Sequence, residues 1–72
     1  MKTKVILMGG TGAIGCYLSE VLAGNGFDVF CTTRRAQKNT SSIRYIVGDA
    51  HDTSFIKYTI ESIKPDAIVD FM

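Results

Sequence analysis

Apolar residues along this chain follow two alternating patterns, short continuous runs and longer segments with helical spacing. The continuous runs are rich in β-branched and aromatic residues, as is typical of strands buried on both faces of a sheet. They predict four strands, over KVILM (Lys4–Met8), DVFCTT (Asp28–Thr33), IRYIV (Ile43–Val47) and DAIVDFM (Asp66–Met72).

Helical spacing predicts two helices between these strands. The first begins at Ala13 and ends at the GNG sequence of residues 24–26, because glycine adopts the left-handed end conformation at little cost. The second is capped by Asp52 or Thr53 and runs through Lys64. The residues predicted to face the core are Ile14, Leu18, Val21 and Leu22 in the first helix and Ile56, Ile60 and Ile63 in the second.

The order strand–helix–strand–strand–helix–strand is typical of an α/β protein with a parallel sheet. Right-handed crossovers then predict the strand order 3-2-1-4, with helices on both faces. Residues 35–42 are too few for a crossover helix and are expected to form a loop or a single helical turn. The order reverses between strands one and four, which is where open α/β sheets bind ligands.

Composition excludes a few classes of protein. A chain of 72 residues allows one domain at most. Its net charge of +1 argues neither for nor against a charged partner. The longest apolar run, Val5 to Met8, is too short for a membrane span or a signal peptide, so we expect a cytoplasmic protein without membrane or nucleic-acid partners. Cys16 and Cys31 form no C-x-x-C pair and are expected to be buried thiols.

The segment after the first strand has the spacing of a phosphate-binding loop. Residues 10–15, GTGAIG, match G-x-G-x-x-G, directly after a predicted strand and at the start of a predicted helix. Gly9 and Gly10 would form the sharp turn. Gly12 would let the backbone approach a pyrophosphate held by the free N–H groups of the helix, and Gly15 would let the helix lie close to the sheet. A Gly-rich turn without a ligand is the alternative. The candidate cofactor-binding residues here are Gly9, Gly10, Thr11, Gly12, Ala13, Ile14 and Gly15.

The motifs GGTGAIG, GDAHD and KPDAIVDFM, in this order, resemble the N-terminal part of short-chain dehydrogenases/reductases. The resemblance covers essentially the whole chain and is strongest to the extended and atypical branch, which includes NAD(P)-dependent epimerases and dehydratases of nucleotide sugars. It implies a partial Rossmann fold, a cofactor that is NADP or NAD, and hydride transfer to and from the nicotinamide. Met8 departs from the pattern, since many members have threonine there, and this removes a hydrogen bond that braces the turn.

The residues after the second strand favour NADP over NAD. NAD-preferring versions of the fold carry an acidic residue about 20 positions past the glycines, where it binds the ribose 2′-hydroxyl. This chain has Thr32 and Thr33 at that distance, followed by Arg34 and Arg35. A guanidinium can bind a 2′-phosphate, which a carboxylate would repel. A solvated pair of charges at the end of a strand is the alternative interpretation of the two arginines.

The resemblance adds three candidates to the cofactor site. Asp49 of the GD pair would accept a hydrogen bond from the adenine amino group, and Ala50 would add a backbone contact. Phe71 would border the cofactor near the nicotinamide ribose, although it fits equally well as a buried strand residue. The alternative for Asp49 is a role in forming the turn. His51 is expected to be a solvent-facing loop residue, and no cluster of ligand-type residues predicts a metal site.

The Tyr-x-x-x-Lys pair that the family uses for acid–base chemistry is absent from this chain, because Val21, Asp49 and Ser62 stand four residues after its tyrosines. No catalytic residue is therefore assigned. A full enzyme of this kind has ~250 residues or more, so we expect residues 1–72 to be the N-terminal portion of a dinucleotide-binding domain, without catalytic and substrate regions. Two other hypotheses stay open, a non-enzymatic dinucleotide sensor and a non-functional truncation product. For the full-length enzyme, the resemblance implies a small-molecule substrate such as a sugar nucleotide, and a homodimer.

Overall fold

The computed structural model describes residues 2–9, 13–35, 38–40 and 42–71, and at residues 13, 14 and 16 it describes the backbone only. The described residues form four strands and two helices. In chain order these are β1 (Lys4–Met8), α1 (Ala13–Gly24), β2 (Asp28–Thr33), β3 (Ile43–Val47), α2 (Thr53–Ile63) and β4 (Ala67–Asp70). Neither helix, within these ranges, is long and apolar enough to cross a membrane. The first three strands have the predicted bounds, and β4 is shorter than the predicted run.

The four strands are all parallel and lie in the order β3-β2-β1-β4. This confirms the predicted α/β sheet and its strand order. The register pairs Ile6 of β1 with Phe30 of β2 on one side and with Ile68 of β4 on the other. Because the strands are parallel, their carboxyl ends lie along one edge of the sheet, which we call the carboxyl edge. The strand order reverses beside β1, at the centre of that edge.

The main core lies between the sheet and α1. Its buried residues alternate along their strands and so share one face of the sheet; they are Val5, Leu7, Val29, Cys31 and Ile43. Leu18 and Leu22 of α1 pack against them as predicted. Val21 was also predicted to face the core, but it is 39% exposed, because it lies to one side of the stripe that Leu18 and Leu22 form.

The end of α1 has the hydrogen bonds of a Schellman motif. Gly26 has a φ of 88°, in the left-handed region that glycine adopts without strain. Its N–H donates to the carbonyl of Ala23 at 3.2 Å, and the N–H of Phe27 donates to the carbonyl of Leu22 at 3.1 Å. Leu22 and Phe27 both pack against the core, as the motif requires. The helix therefore ends where the glycines at residues 24–26 predict.

The second helix lies on the face of the sheet opposite α1. Nζ of Lys4 donates to the carbonyl of Ile63 at the end of α2, at a distance of 3.2 Å. Lys4 alternates with the buried Val5, so its side chain lies on the face that α1 does not cover. The predicted arrangement, with helices on both faces, is confirmed.

The caps of α2 are defined, while its buried side differs from the prediction. Asp52 is the N-cap, with its Oδ1 accepting from the N–H groups of Ser54 at 3.0 Å and Phe55 at 3.4 Å. Lys64 is the C-cap, with a left-handed φ of 54°. The buried side chain of this helix is Thr59, at 2% exposure. The isoleucines that were predicted to be buried are only half-buried; they are Ile56, Ile60 and Ile63.

The outer edge of β3 is covered in part by the loop before it. The N–H of Thr40 donates to the carbonyl of Ile43 at 2.9 Å, and Oγ1 of Thr40 accepts from the N–H of Ile43 at 3.0 Å. Oδ1 of Asn39 accepts from the N–H of Tyr45 at 2.8 Å. These bonds satisfy backbone groups that an edge strand otherwise leaves open to another chain. At the other edge, Ile68 of β4 is 42% exposed.

Candidate functional site

The carboxyl end of β1 turns sharply at Gly9. This glycine has a φ of 73°, a conformation that residues with a Cβ rarely adopt. Its N–H donates to Oγ1 of Thr32 at 3.1 Å, and Thr32 is buried in β2. We expected Met8 to deprive this turn of a brace, but Thr32 supplies one from the neighbouring strand. Sequence reasoning missed this role because it considered Thr32 only as a position without a carboxylate.

Helix α1 begins at Ala13, four residues after Gly9. Gly10, Thr11 and Gly12, which are predicted to lie against a ligand, fall outside the described residues. For Ala13 and Ile14, the first residues of the helix, the structure describes the backbone only. Gly15, the last candidate residue of the glycine loop, is buried. Because α1 follows β1, its amino end lies at the carboxyl edge of the sheet, and its first N–H groups have no partner within the helix. The amino end of a helix attracts anions.

The end of β2 carries two exposed arginines on a fixed backbone. Oγ1 of Thr33 accepts from the N–H of Arg35 at 3.2 Å and donates to the carbonyl of Arg35 at 3.0 Å. Thr33 is itself buried, and its carbonyl accepts from the N–H of Gly48 at 2.8 Å, which ties the ends of β2 and β3 together. The backbone at Arg34 and Arg35 is therefore held in place, while both side chains extend into solvent.

Arg34 belongs to a cluster of three charged or titratable side chains. Nη2 of Arg34 lies 3.5 Å from Oδ1 of Asp49 and 3.1 Å from Nδ1 of His51. Nδ1 of His51 also lies 3.1 Å from Oδ1 of Asp49. The three side chains, which we call the edge cluster, are 67%, 52% and 63% exposed for Arg34, Asp49 and His51. His51 faces solvent as predicted, but its contacts with both partners were not predicted.

The carboxylate of Asp49 is held in its ionised form. The backbone N–H of His51 donates to its Oδ1 at 2.9 Å, and this bond, more than any other cause, lowers the pKa of Asp49 below its ordinary value. The His51 side chain and the charge of Arg34 act in the same direction. These hydrogen bonds from described residues all reach Oδ1, which leaves Oδ2 to a further donor. At neutral pH, Asp49 is therefore an acceptor and suits an N–H₂ group.

The loop that carries Asp49 and His51 is fixed against the start of α2. A Cβ at Gly48 would overlap the ring of Phe55, so only glycine allows the ring to lie there. The N–H of Asp52 donates to the carbonyl of Asp49 at 2.9 Å and closes the loop into a turn. Sequence reasoning missed the contact between Gly48 and Phe55. The signal that could have indicated it is a glycine directly after a strand. In the same loop, Ala50 is half-buried.

Phe71 lies at the end of β4, next to the start of the glycine loop. Its N–H donates to the carbonyl of Met8 at 3.0 Å, and its half-buried side chain packs against the core under α1. These contacts fit the interpretation of Phe71 as a strand residue, and its contact with a cofactor stays a prediction.

The carboxyl edge thus combines a turn suited to an anion with a paired carboxylate and guanidinium. In the described ranges, no group of three or more His, Cys, Asp or Glu side chains is arranged to hold a metal ion. The groups that this edge offers to a ligand include backbone N–H groups, one ionised acceptor and cationic donors.

Comparisons with known proteins agree with this geometry. A model of the NAD dependent epimerase/dehydratase family matches residues 5–72. The chain is also similar to GDP-mannose 4,6-dehydratase of Vibrio cholerae, with 31% identity over 83 aligned residues that cover 94% of this chain and 22% of the relative.

Solved structures share the same fold. WbmH of Bordetella bronchiseptica, solved in complex with NAD+, matches with a TM-score of 0.86 and 24% identity, over 100% of this chain and 26% of that one. WbmG of the same organism, solved with NAD and UDP, matches with a TM-score of 0.85 and 19% identity, over 100% of this chain and 25% of that one. The chain spans about a quarter of the length of the relatives it matches. Together with the strand order, these matches confirm the partial Rossmann fold, and the chain belongs to the NAD-dependent epimerase/dehydratase family.

Proposed function

We propose that this chain binds the ADP half of a nicotinamide dinucleotide along the carboxyl edge of its sheet. The observation that carries the proposal is the turn at Gly9, where the central strand leads into α1 through a left-handed backbone at a φ of 73°. A turn of this kind directs the open N–H groups of a helix at an anion. The pyrophosphate would lie against the loop from Gly9 to Gly15, with its close approach at Gly12.

The adenine would lie at the end of β3. Oδ2 of Asp49 would accept from the adenine amino group, and the backbone of Ala50 would lie beside the ring. The lowered pKa of Asp49 supports this assignment, because an ionised carboxylate accepts from an N–H₂ group and never competes with it as a donor. The contact between Gly48 and Phe55 supports it too, since it fixes the loop before any ligand binds.

At the ribose, we propose a preference for NADP over NAD. Thr33 holds the backbone of Arg34 and Arg35, so that both guanidinium groups extend from the carboxyl edge. A guanidinium forms charge-assisted hydrogen bonds with a 2′-phosphate. NAD, which is present in the WbmH and WbmG structures, would bind the same loop without using these arginines.

For the whole protein, we propose an epimerase, dehydratase or related oxidoreductase that acts on a nucleotide sugar. The nicotinamide, when bound, would accept and return a hydride. The substrate class is supported by the name of the Vibrio cholerae relative and by the UDP in the WbmG structure. Residues 1–72 would hold the cofactor as the N-terminal part of a dinucleotide-binding domain, and Phe71 would border the nicotinamide ribose. As part of the same proposal, the whole protein forms a homodimer and is located in the cytoplasm.

Replacing Arg34 tests the proposed site. We expect Arg34→Gln to weaken NADPH binding about tenfold and to leave NADH binding unchanged, because only NADPH carries the 2′-phosphate. Isothermal titration calorimetry on the purified protein measures both dissociation constants. Lys2→Gln is the matched control, because Lys2 is an exposed cation that precedes β1 and so lies at the opposite edge of the sheet. An NADPH affinity that is equal in Arg34→Gln and the parent protein would show that the assignment of Arg34 is wrong.

A further inference from the structure

We propose that His51 makes the choice between the phosphorylated and the unphosphorylated dinucleotide depend on pH. This inference rests on the proposed dinucleotide site, and it concerns how the edge cluster of Arg34, Asp49 and His51 controls that site. His51 acts through Arg34 and is therefore a positioning residue.

The geometry at one ring nitrogen carries the inference. Nδ1 of His51 lies 3.1 Å from Nη2 of Arg34, which can only donate, and 3.1 Å from Oδ1 of Asp49, which can only accept when ionised. Without a proton, Nδ1 accepts from Arg34. With a proton, it donates to Asp49. A single nitrogen cannot do both at once, so a proton on Nδ1 decides which of the two partners His51 binds. The imidazolium always carries this proton, whereas the neutral ring carries it in only one of its two tautomers.

In the neutral form with Nδ1 unprotonated, His51 and Asp49 hold Arg34 together. Nη2 of Arg34 then donates to the imidazole, and it also lies 3.5 Å from Oδ1 of Asp49. A 2′-phosphate that binds through Nη2 of Arg34 must compete with both partners for this nitrogen. In this state the preference for NADPH is therefore at its lowest.

In the protonated form, His51 releases Arg34. The imidazolium donates to Asp49, and it places a positive charge beside the guanidinium, which is repelled. Arg34 then keeps only its 3.5 Å contact with Asp49, for which the imidazolium now competes, so that its guanidinium binds a 2′-phosphate more readily. The imidazolium also adds a second cation near the phosphate. NADH gains nothing from either charge, so protonation of His51 favours the phosphorylated dinucleotide.

The other charged groups around His51 do not remove the competition between Arg34 and Asp49 for its Nδ1. Asp52 is its chain neighbour, but the Asp52 carboxylate accepts from the N–H groups of Ser54 and Phe55 and acts as the helix cap. The first turn of α2, which carries a partial positive charge, begins two residues after His51. Arg35 follows Arg34 and adds a further positive charge at the end of β2. Since the edge cluster is largely exposed, we expect an effect of severalfold rather than of several orders of magnitude.

The test compares dinucleotide preference at two pH values in matched proteins. Dissociation constants for NADH and NADPH are measured by calorimetry at about pH 5.5 and about pH 8, on either side of the range in which histidine titrates. The proteins are the parent, His51→Gln and the Lys2→Gln control. A phosphate monoester also titrates near pH 6, and the comparison with His51→Gln at each pH cancels that contribution. The preference for NADPH is the dissociation constant for NADH divided by that for NADPH, and at each pH it is divided by the same ratio in His51→Gln. We expect this normalised preference to be about threefold higher at the lower pH than at the higher pH, in the parent and in Lys2→Gln alike.

A second readout needs no dinucleotide. His51 is the only histidine of the sequence, so its ring protons are assigned without ambiguity in NMR spectra of the tag-free protein. The Nε–H signal of Arg34 should shift over the same pH range as the His51 ring, and that shift should disappear in His51→Gln. If the Arg34 signal ignores the titration of the ring, the inference is wrong.

The outcomes separate this inference from the function on which it rests. If both dinucleotides bind and the preference follows pH identically in the parent and in His51→Gln, the inference fails while the dinucleotide site stands. If neither dinucleotide binds at either pH, the proposed function fails and the inference fails with it.

Discussion

Two buried threonines differ in what their hydroxyl groups do. Oγ1 of Thr32 accepts from the N–H of Gly9 and braces the turn of the candidate site. Oγ1 of Thr59, buried in α2, has no hydrogen-bond partner within the part of the chain that the structure describes. A buried hydroxyl without a partner loses its hydration and gains nothing in return. Thr59 therefore weakens the fold at a position where a methyl group would fit.

Replacing each threonine by valine, which has the same shape, tests this difference. We expect Thr59→Val to raise the free energy of unfolding by about 1 kcal/mol, because the unsatisfied hydroxyl is removed. Thr32→Val is the matched control and should lower that free energy by about 1 kcal/mol, because the Gly9 N–H loses its acceptor. Urea denaturation followed by circular dichroism measures both. A Thr59→Val protein that is less stable than its parent would mean that the hydroxyl has a partner after all.

Single residues also mark the limit of prediction from sequence. Arg34 was a candidate because it follows the second strand close to the position of the acidic residue in NAD-preferring folds, and Asp49 because the GD pair resembles that of the family. The contact between Arg34 and His51 was not predictable, because it depends on the path of the loop after β3. That path is set by the contact of Gly48 with the ring of Phe55, which no periodic pattern encodes.

At the level of elements, the start of α2 connects stability with the candidate site. Asp52 caps the helix through the N–H groups of Ser54 and Phe55, and its own N–H closes the loop at Asp49. The same residue therefore ends the loop that carries Asp49, the proposed adenine acceptor, and caps the helix that follows.

Removing the cap should lower the stability of the fold. We expect Asp52→Ala to lower the free energy of unfolding by about 1 kcal/mol, because two N–H groups of the first turn lose their acceptor. Asp52→Ser keeps an acceptor oxygen and should retain most of the stability. Chemical denaturation compares the three proteins, and equal stability of Asp52→Ala and the parent would argue against the cap.

The strands and the helices were not equally predictable. β1, β2 and β3 have the predicted bounds because each is a short segment rich in β-branched or aromatic residues that is followed by glycine or polar residues. The helices occupy the predicted segments, but Val21 is exposed and Thr59 is buried. Apolar spacing identifies the buried face of a helix, but it does not show whether a residue at the margin of that face is buried or exposed. A buried threonine such as Thr59 looks polar in the sequence, although threonine has the same shape as valine.

For the molecule as a whole, the position of β1 decides where a ligand can bind. β1 lies between β2 and β4, so its carboxyl end is the point where the strand order reverses. Gly9, Thr33 and Asp49 come from three neighbouring strand ends, and the parallel sheet brings them to one edge. This gathering could be predicted from the strand–helix order alone, whereas the positions of the side chains could not.

The most direct test of dinucleotide binding is a map of amide shifts in ¹⁵N-labelled protein titrated with NADPH. Binding at the carboxyl edge predicts saturable shifts that are largest at Gly9, Gly15 and Asp49. Amides at the amino ends of the strands, such as those of Lys4 and Ala67, should shift least, because they lie at the opposite edge of the sheet. The absence of saturable shifts, or a set centred on the amino ends, would contradict the account.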